Sequence, residues 1–251
     1  MSYVIAMAGK GGTGKTTIAA LIARIILEKK SGSLLLVDAD PNSNLGELLG
    51  INAQESIGSI LDELSLHPES VPENFPKERF IELKVQGAVY EAEGFDILAM
   101  GKPEGPGCYC YANNILRSVM AKLIKNYDYV IIDNEAGLEH LSRKSTRFAD
   151  ALIVVSDNTS IGLKSAARIM DLVSSLKIET KKNFLLINRG QTDIIKDKIP
   201  AREWVYLGTL SHDPLVEELS LNGEQIMRLA SQAKMFSQLK KIGEKIWPCS
   251  Q

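Results

Sequence analysis

Short apolar runs alternate with amphipathic segments along most of the chain, and several of the runs end in acidic or polar residues. The runs cover residues 3–8, 33–37, 95–100, 127–133, 150–156, 182–189 and 204–208. Continuous apolar runs of this length, with carboxylates at their C-terminal ends, are typical of buried parallel strands whose ligands bind at that edge. The pattern predicts an α/β fold with a doubly wound, mostly parallel central sheet flanked by helices.

Helical spacing of apolar residues recurs between the predicted strands. It covers residues 18–27, 56–66, 115–124, 158–176 and 234–247. Residues 79–85 instead alternate like a half-exposed strand, which residues 89–92 are predicted to join across a turn near Gly87. The last helical segment has four lysines and allows two interpretations. It could dock on a membrane, or it could pack on the sheet with a lysine-rich outer face, which we favour.

A glycine-rich loop separates the first predicted strand from the first predicted helix. Its sequence is Gly9-Lys10-Gly11-Gly12-Thr13-Gly14-Lys15-Thr16-Thr17. A G-x-x-x-x-G-K-T pattern in a strand–loop–helix context is a phosphate-binding loop, in which backbone N–H groups converge on phosphate oxygens. We therefore predict ATP and ADP binding, with Lys15 on the β- and γ-phosphates and Thr16 on Mg²⁺. The predicted nucleotide contacts in the loop are Gly11, Gly12, Gly14, Lys15, Thr16 and Thr17.

Length and composition limit the remaining possibilities. At 251 residues, 45% hydrophobic and 24% charged, the chain fits one soluble domain over residues 1–251. A net charge of −2 argues against an extended nucleic-acid surface. We expect no signal peptide before the first strand, and no apolar run is long enough to span a membrane. We expect a cytoplasmic protein without stable membrane attachment, in which the three cysteines are free thiols or metal ligands.

The run at residues 127–133 ends in a segment of the Walker B type. Asp133 is predicted to hold Mg²⁺ through water, and the N–H of Gly137 to sense the γ-phosphate. His140 lies just beyond, where a hydrogen-bonded structural histidine is the favoured interpretation.

Two cysteines, Cys108 and Cys110, lie in a glycine- and proline-rich loop at residues 105–111 that precedes a predicted helix. Thiolates bind metals, but a pair supplies only half of a four-coordinate site. A two-fold dimer would bring four thiolates together. From the sequence alone, a metal site at these cysteines and the alternative that they bind no ligand are equally supported.

The lysine at position 10 gives the chain a resemblance to the deviant P-loop ATPases, which include MinD, the nitrogenase iron protein and the arsenite-pump ATPase. The resemblance implies that Lys10 reaches the nucleotide of a second subunit. It also implies that Asp38 lies near the Mg²⁺ shell and that Asp40 orients or deprotonates the attacking water. Together with Lys15, these give a predicted catalytic set of Lys10, Lys15 and Asp40. The residues alone also allow Asp38 and Asp40 to form an N-cap and a turn before a helix at residues 43–46, and both roles can hold at once. Asn188 would contact adenine, and Pro214 with its neighbours would close the base pocket.

Three segments together resemble the CooC-type maturation ATPases of carbon monoxide dehydrogenase and acetyl-CoA synthase. They are the phosphate-binding loop, the Cys-x-Cys before a helix, and residues 133–141. The resemblance implies a homodimer that binds nickel, or competing zinc, between subunits at Cys108 and Cys110, with one of these enzymes as client. The sequence departs from expectation at Asn134 and Glu135, and we assign no role to Glu135 or Cys249. A MinD-like membrane or DNA switch and an iron–sulfur carrier stay open as alternatives.

Overall fold

The fold is built on one sheet of eight strands. A computed structural model describes residues 2–40, 44–51, 55–101, 110–135, 148–190 and 199–247. The strands are β1 Tyr3–Gly9, β2 Leu34–Ala39, β3 Tyr90–Glu91, β4 Asp96–Ala99, β5 Tyr129–Asn134, β6 Phe148–Ser156, β7 Glu179–Ile187 and β8 Val205–Thr209. Their order across the sheet is β3-β4-β2-β5-β1-β6-β7-β8.

All neighbouring strands run parallel except β3, which pairs antiparallel with β4. The inner strands β1, β2 and β5 are buried almost throughout because helices cover both faces of the sheet. The predicted doubly wound α/β fold is confirmed.

Eight α-helices flank the sheet in the part of the chain that the structure describes. They are α1 Lys15–Glu28, α2 Asn44–Leu49, α3 Ile57–Leu66, α4 Lys77–Gly87, α5 Cys110–Ile124, α6 Ser160–Ser175, α7 Pro214–Leu221 and α8 Lys234–Gly243. One face of the sheet packs against α1, α2 and α8, and the other against α3, α4, α5 and α6. Two hydrophobic cores result, one on each side of the sheet.

The predicted strand at residues 79–85 is wrong, because this segment lies within helix α4. The apparent alternation misled because only Ile81 and Val85, one helical turn apart, are buried, whereas Leu83 is 47% exposed. The Arg79–Glu82 ion pair has the i,i+3 spacing of a helix. Consequently β3 pairs with β4, not with residues 79–85.

The last helix packs on the sheet with lysines on its outer face, which is the interpretation that we favoured. Met235, Phe236 and Leu239 of α8 are buried against the core that contains α1, whereas Lys240 and Lys241 are exposed. Lys240 pairs with Glu28 at the end of α1. The apolar face of α8 is therefore part of the fold.

Candidate functional site

The phosphate-binding loop joins the end of β1 to the start of α1. Gly14 precedes the helix with φ of +87°, and no side chain caps the helix N-terminus. The first turn of α1 has no acidic residue. The N-terminal N–H groups of α1 therefore remain available, which suits a phosphate.

A single carbonyl organises the inside of the loop. The Lys10 carbonyl oxygen accepts hydrogen bonds from the Thr13 N–H at 3.3 Å, the Thr13 hydroxyl at 2.8 Å and the Lys15 ammonium at 3.3 Å. Gly9 has φ of +153°, and a Cβ placed there would lie 2.4 Å from the Val155 carbonyl oxygen. Only glycine fits at this position, because both the backbone conformation and the space exclude a side chain.

The two lysines of the loop have different environments. Lys15 is 7% exposed, and its burial lowers the pKa of the ammonium while the carboxylates of Asp133, Asp40 and Glu135 oppose that shift. Lys10 is exposed at the loop surface. Lys15 therefore points into a site of negative charge, which also places the unassigned Glu135 near that site.

Asp133 lies at the end of β5, where the strand registers align it with Asp38 of β2 and Met7 of β1. It is 1% exposed, and neither carboxylate oxygen makes a hydrogen bond within the described residues. Burial raises the pKa of Asp133 to about 7. The nearby Thr16 hydroxyl lowers it without reaching hydrogen-bond geometry, and Asp38 adds to the rise. A buried carboxylate with unsatisfied oxygens beside a threonine hydroxyl fits Mg²⁺, which prefers oxygen ligands.

Asp38 directs its carboxylate toward helix α2. It accepts hydrogen bonds from the N–H groups of Leu45 at 2.9 Å, Gly46 at 3.2 Å and Asp40 at 3.2 Å. Burial raises the pKa of Asp38 to about 6, and these backbone donors partly offset the rise. Asp40 accepts a hydrogen bond from the Asn44 amide at 3.0 Å. Asp38 thus couples the end of β2 to the segment that holds Asp40.

A cleft of about 480 Å³ lies beside the loop and is lined on one side by Gly14, Thr17 and Asn188. The other side comes from the start of α7, where Asp213 and Val216 flank Pro214. Asp213 accepts hydrogen bonds from the N–H groups of Leu215 and Met235. The cleft is where we predict the base to bind.

Comparison with known proteins identifies the family. The family model described as the AAA domain matches residues 2–186. The chain belongs to this AAA domain family. An uncharacterised ATP-binding protein of Methanocaldococcus jannaschii is 36% identical over 97% of this chain and 98% of its own length. The carbon monoxide dehydrogenase accessory protein CooC of Rhodospirillum rubrum is 31% identical over 70% of this chain and 71% of its own length.

Solved structures of MinD proteins share the fold of this chain. The Aquifex aeolicus MinD cell division protein has a TM-score of 0.68 at 19% identity, with both chains fully covered. Pyrococcus horikoshii MinD in complex with Mg-ADP has a TM-score of 0.69 at 19% identity, covering 98% of this chain and 96% of that one. The chain is a P-loop ATPase of an ATP-binding family, and its fold is that of MinD and ParA proteins.

Several predicted residues lie outside the part of the chain that the structure describes. These are Gly137, Cys108, His140 and Cys249. Cys110 is the first residue of α5, but its side chain is not described. Within the described ranges no group of three or more histidine, cysteine or acidic side chains could hold a metal ion, and no helix is long and apolar enough to cross a membrane.

Sequence reasoning missed the roles of two residues of the site. Arg189 contacts the phosphate-binding loop through its guanidinium, and Asp213 caps α7. An aspartate directly before a proline is a helix-start signal that could have identified Asp213. No sequence signal indicates the contact of Arg189, because Arg189 and Gly12 are 177 residues apart in the sequence and meet only in the folded sheet.

Proposed function

We propose that this protein is a dimeric ATPase metallochaperone that carries nickel for the maturation of carbon monoxide dehydrogenase or acetyl-CoA synthase. The nickel is its cargo, held by Cys108 and Cys110 of two subunits. The proposal rests on the 31% identity to the carbon monoxide dehydrogenase accessory protein of Rhodospirillum rubrum, together with the Cys-x-Cys sequence at the start of α5. Two thiolates from each subunit complete a four-coordinate site suited to a borderline cation.

The nucleotide site supports hydrolysis by this domain. Lys15 and the open N-terminus of α1 bind the phosphates, and Asp133 with Thr16 holds Mg²⁺, which supplies charge neutralisation when bound. Asp40 orients the attacking water and accepts its proton. Lys10, exposed at the loop surface, reaches the nucleotide of the second subunit. Gly137 contacts the γ-phosphate, while Asn188 and Pro214 lie at the base.

The described strands favour communication between the nucleotide and the cysteine loop. The Met100 N–H at the end of β4 donates a hydrogen bond of 2.7 Å to the Asp38 carbonyl oxygen. The same Asp38 binds the start of α2 through its carboxylate. The chain runs directly from Met100 and Gly101 into the segment that contains both cysteines. A movement of Asp38 on nucleotide binding would therefore be passed by one hydrogen bond to Met100, which leads into this segment.

Metal analysis of size-exclusion fractions tests the proposal. We expect one Ni²⁺ per dimer in wild type, and none in the double variant Cys108→Ala and Cys110→Ala. Cys249→Ala serves as the matched thiol control and should bind nickel like wild type. Undiminished nickel in the double variant would refute the proposal, and iron with sulfide in place of nickel would support the iron–sulfur carrier.

The MinD-like membrane switch is less well supported. A basic amphipathic helix binds a membrane by inserting its apolar face. In α8 that face is occupied, since Phe236 and Leu239 are fully buried against the core. We therefore propose that the protein has no stable membrane attachment and is cytoplasmic. The net charge of −2 leads us to propose no nucleic-acid partner. Sedimentation with anionic liposomes in the presence of ATP checks this point.

A further inference from the structure

The end of strand β7 contacts two consecutive carbonyl groups of the phosphate-binding loop. The Asn188 amide nitrogen donates a hydrogen bond of 2.8 Å to the Thr13 carbonyl oxygen. The Arg189 guanidinium donates one of 3.3 Å to the Gly12 carbonyl oxygen. These contacts join two parts of the chain that are distant in sequence, at the point where phosphate is predicted to bind.

Further hydrogen bonds fix both the backbone and the side chain of Asn188. Its backbone N–H donates to the Ser156 carbonyl oxygen at 2.7 Å, and its side-chain oxygen accepts from the Arg189 N–H at 2.9 Å. The residue is 4% exposed, and a Cβ on Gly14 would lie 2.5 Å from its amide nitrogen. The amide is thus packed directly against the phosphate-binding loop.

These two hydrogen bonds fix the direction of peptide groups in the loop. In a planar trans peptide the C=O and the N–H of the following residue point in opposite directions. Holding the Thr13 carbonyl toward Asn188 therefore turns the Gly14 N–H away from Asn188. Among the described residues the Gly14 N–H has no backbone acceptor, so it remains available to an anion.

We propose that Asn188 and Arg189 are positioning residues that brace the phosphate-binding loop. They hold the Gly12 and Thr13 carbonyls so that the Gly14 N–H and the start of α1 face the phosphates before nucleotide arrives. Preorganised donors bind an anion more tightly because the loop need not reorder. This role differs from the predicted contact of Asn188 with adenine and is independent of the cysteines and of nickel.

The two roles of Asn188 predict different ligand dependence. A brace acts on every ligand that carries the phosphates, with or without a base. A contact to adenine acts only on adenine nucleotides. Comparing Mg-ADP with Mg-tripolyphosphate, which has no base, therefore separates the two roles.

The experiment measures the affinity of Asn188→Ala for both ligands, by calorimetry for ADP and by displacement of ADP for tripolyphosphate. We expect both affinities to fall by a similar factor of about ten, because the carbonyl of the buried residue Thr13 loses its donor. A loss confined to ADP, or no loss for either ligand, would overturn the proposal. Asn183→Ala is the matched control, since Asn183 lies on the same strand and donates to the Glu203 carbonyl oxygen at 3.1 Å, far along the chain from the loop.

Arg189 provides a second variant that does not endanger folding, because its side chain is exposed. Arg189→Met should weaken both ligands by about threefold, as expected for one lost surface hydrogen bond. The loss should persist at 0.5 M NaCl, where the charge of the arginine is screened. Arg202→Met, which removes an exposed arginine paired with Asp171, should leave both affinities unchanged. If the Arg189→Met effect vanishes in salt, the arginine acts only by its charge and the brace is wrong for this residue.

Discussion

Replacing Asp133 by asparagine should stabilise the protein in the absence of nucleotide and Mg²⁺. The carboxylate is 1% exposed, and its oxygens make no hydrogen bond within the described residues. Ionising it in the folded protein is therefore unfavourable, as the pKa of about 7 against an ordinary 3.8 shows. Asparagine has nearly the same shape and carries no charge.

The size of the effect follows from the pKa of Asp133. A rise from 3.8 to about 7 corresponds to about 4 kcal/mol in the free energy of unfolding, at about 1.4 kcal/mol for each pH unit. The asparagine amide also lacks partners, so we expect a net gain of about 2 kcal/mol at pH 8.

The sign of the pH dependence is fixed by the direction of the shift. Because the pKa is raised in the folded state, the neutral carboxyl favours folding fully below about pH 4. This contribution is lost as the pH rises through about 7. The stability difference between variant and wild type should therefore shrink to less than about 1 kcal/mol at pH 5.

Urea unfolding followed by circular dichroism, in EDTA and without nucleotide, measures the difference at pH 5 and pH 8. Asp171→Asn is the control, since this aspartate is exposed and its ion pair with Arg202 contributes less than about 1 kcal/mol. Mg-ADP should remove the advantage of the variant, because the metal pairs with the wild-type carboxylate. A variant no more stable than wild type at pH 8, or a gain that does not change with pH, would refute the reasoning.

Three further substitutions test the nucleotide site. Lys15→Ala should weaken Mg-ATP binding by at least about a hundredfold, because a charge-assisted contact to phosphate is lost inside a buried site; unchanged calorimetric affinity would contradict the assigned role. Asp40→Asn should slow phosphate release by about 10²–10⁴-fold with little change in Mg-ATP affinity, as expected for loss of a proton acceptor, and equal loss of affinity would indicate a binding role. Gly9→Ala should destabilise the protein by about 1–3 kcal/mol in thermal unfolding, since its Cβ would meet the Val155 carbonyl oxygen, whereas Gly87→Ala, which meets nothing within 4 Å, should not.

The sheet and its binding edge could be predicted from the sequence because their signals are local. A strand buried on both faces must be apolar along its whole length, and β1, β2 and β5 are. Acids at the ends of such strands have no structural reason to be there unless a ligand or a cap uses them. Both uses are consistent with this site, since the Asp133 carboxylate makes no hydrogen bond within the described residues and Asp38 binds the start of α2.

The strand prediction at residues 79–85 failed because its sequence fits two periods. Isoleucine, leucine and valine at every second position suit a strand, but Ile81 and Val85 alone also suit one face of a helix. The segment forms a helix because it packs against α5, a contact that exists only in the three-dimensional fold. Short amphipathic segments of this kind cannot be assigned from local pattern.

The contacts of Asn188 and Arg189 with the phosphate-binding loop could not be predicted from the sequence either, for a different reason. Asn188 and Arg189 follow a buried strand, where turn residues are common and carry no special meaning. They contact Thr13 and Gly12 only because β6 lies between β1 and β7 and all three strands end at the same edge. That arrangement is a property of the sheet order, and no residue of the loop encodes it.

The stability and chemistry of the site are therefore connected. The register of β2 with β5 aligns two buried carboxylates, Asp38 and Asp133, whose pKa values are both raised. Buried charge without full pairing costs stability, so this alignment disfavours the protein without a cation. The same cost favours binding, because a divalent ion that pairs with Asp133 recovers it. The Asp38 carbonyl oxygen also accepts the hydrogen bond of the Met100 N–H, and under our proposal this contact links the nucleotide site to the strand end that leads to the cysteine segment.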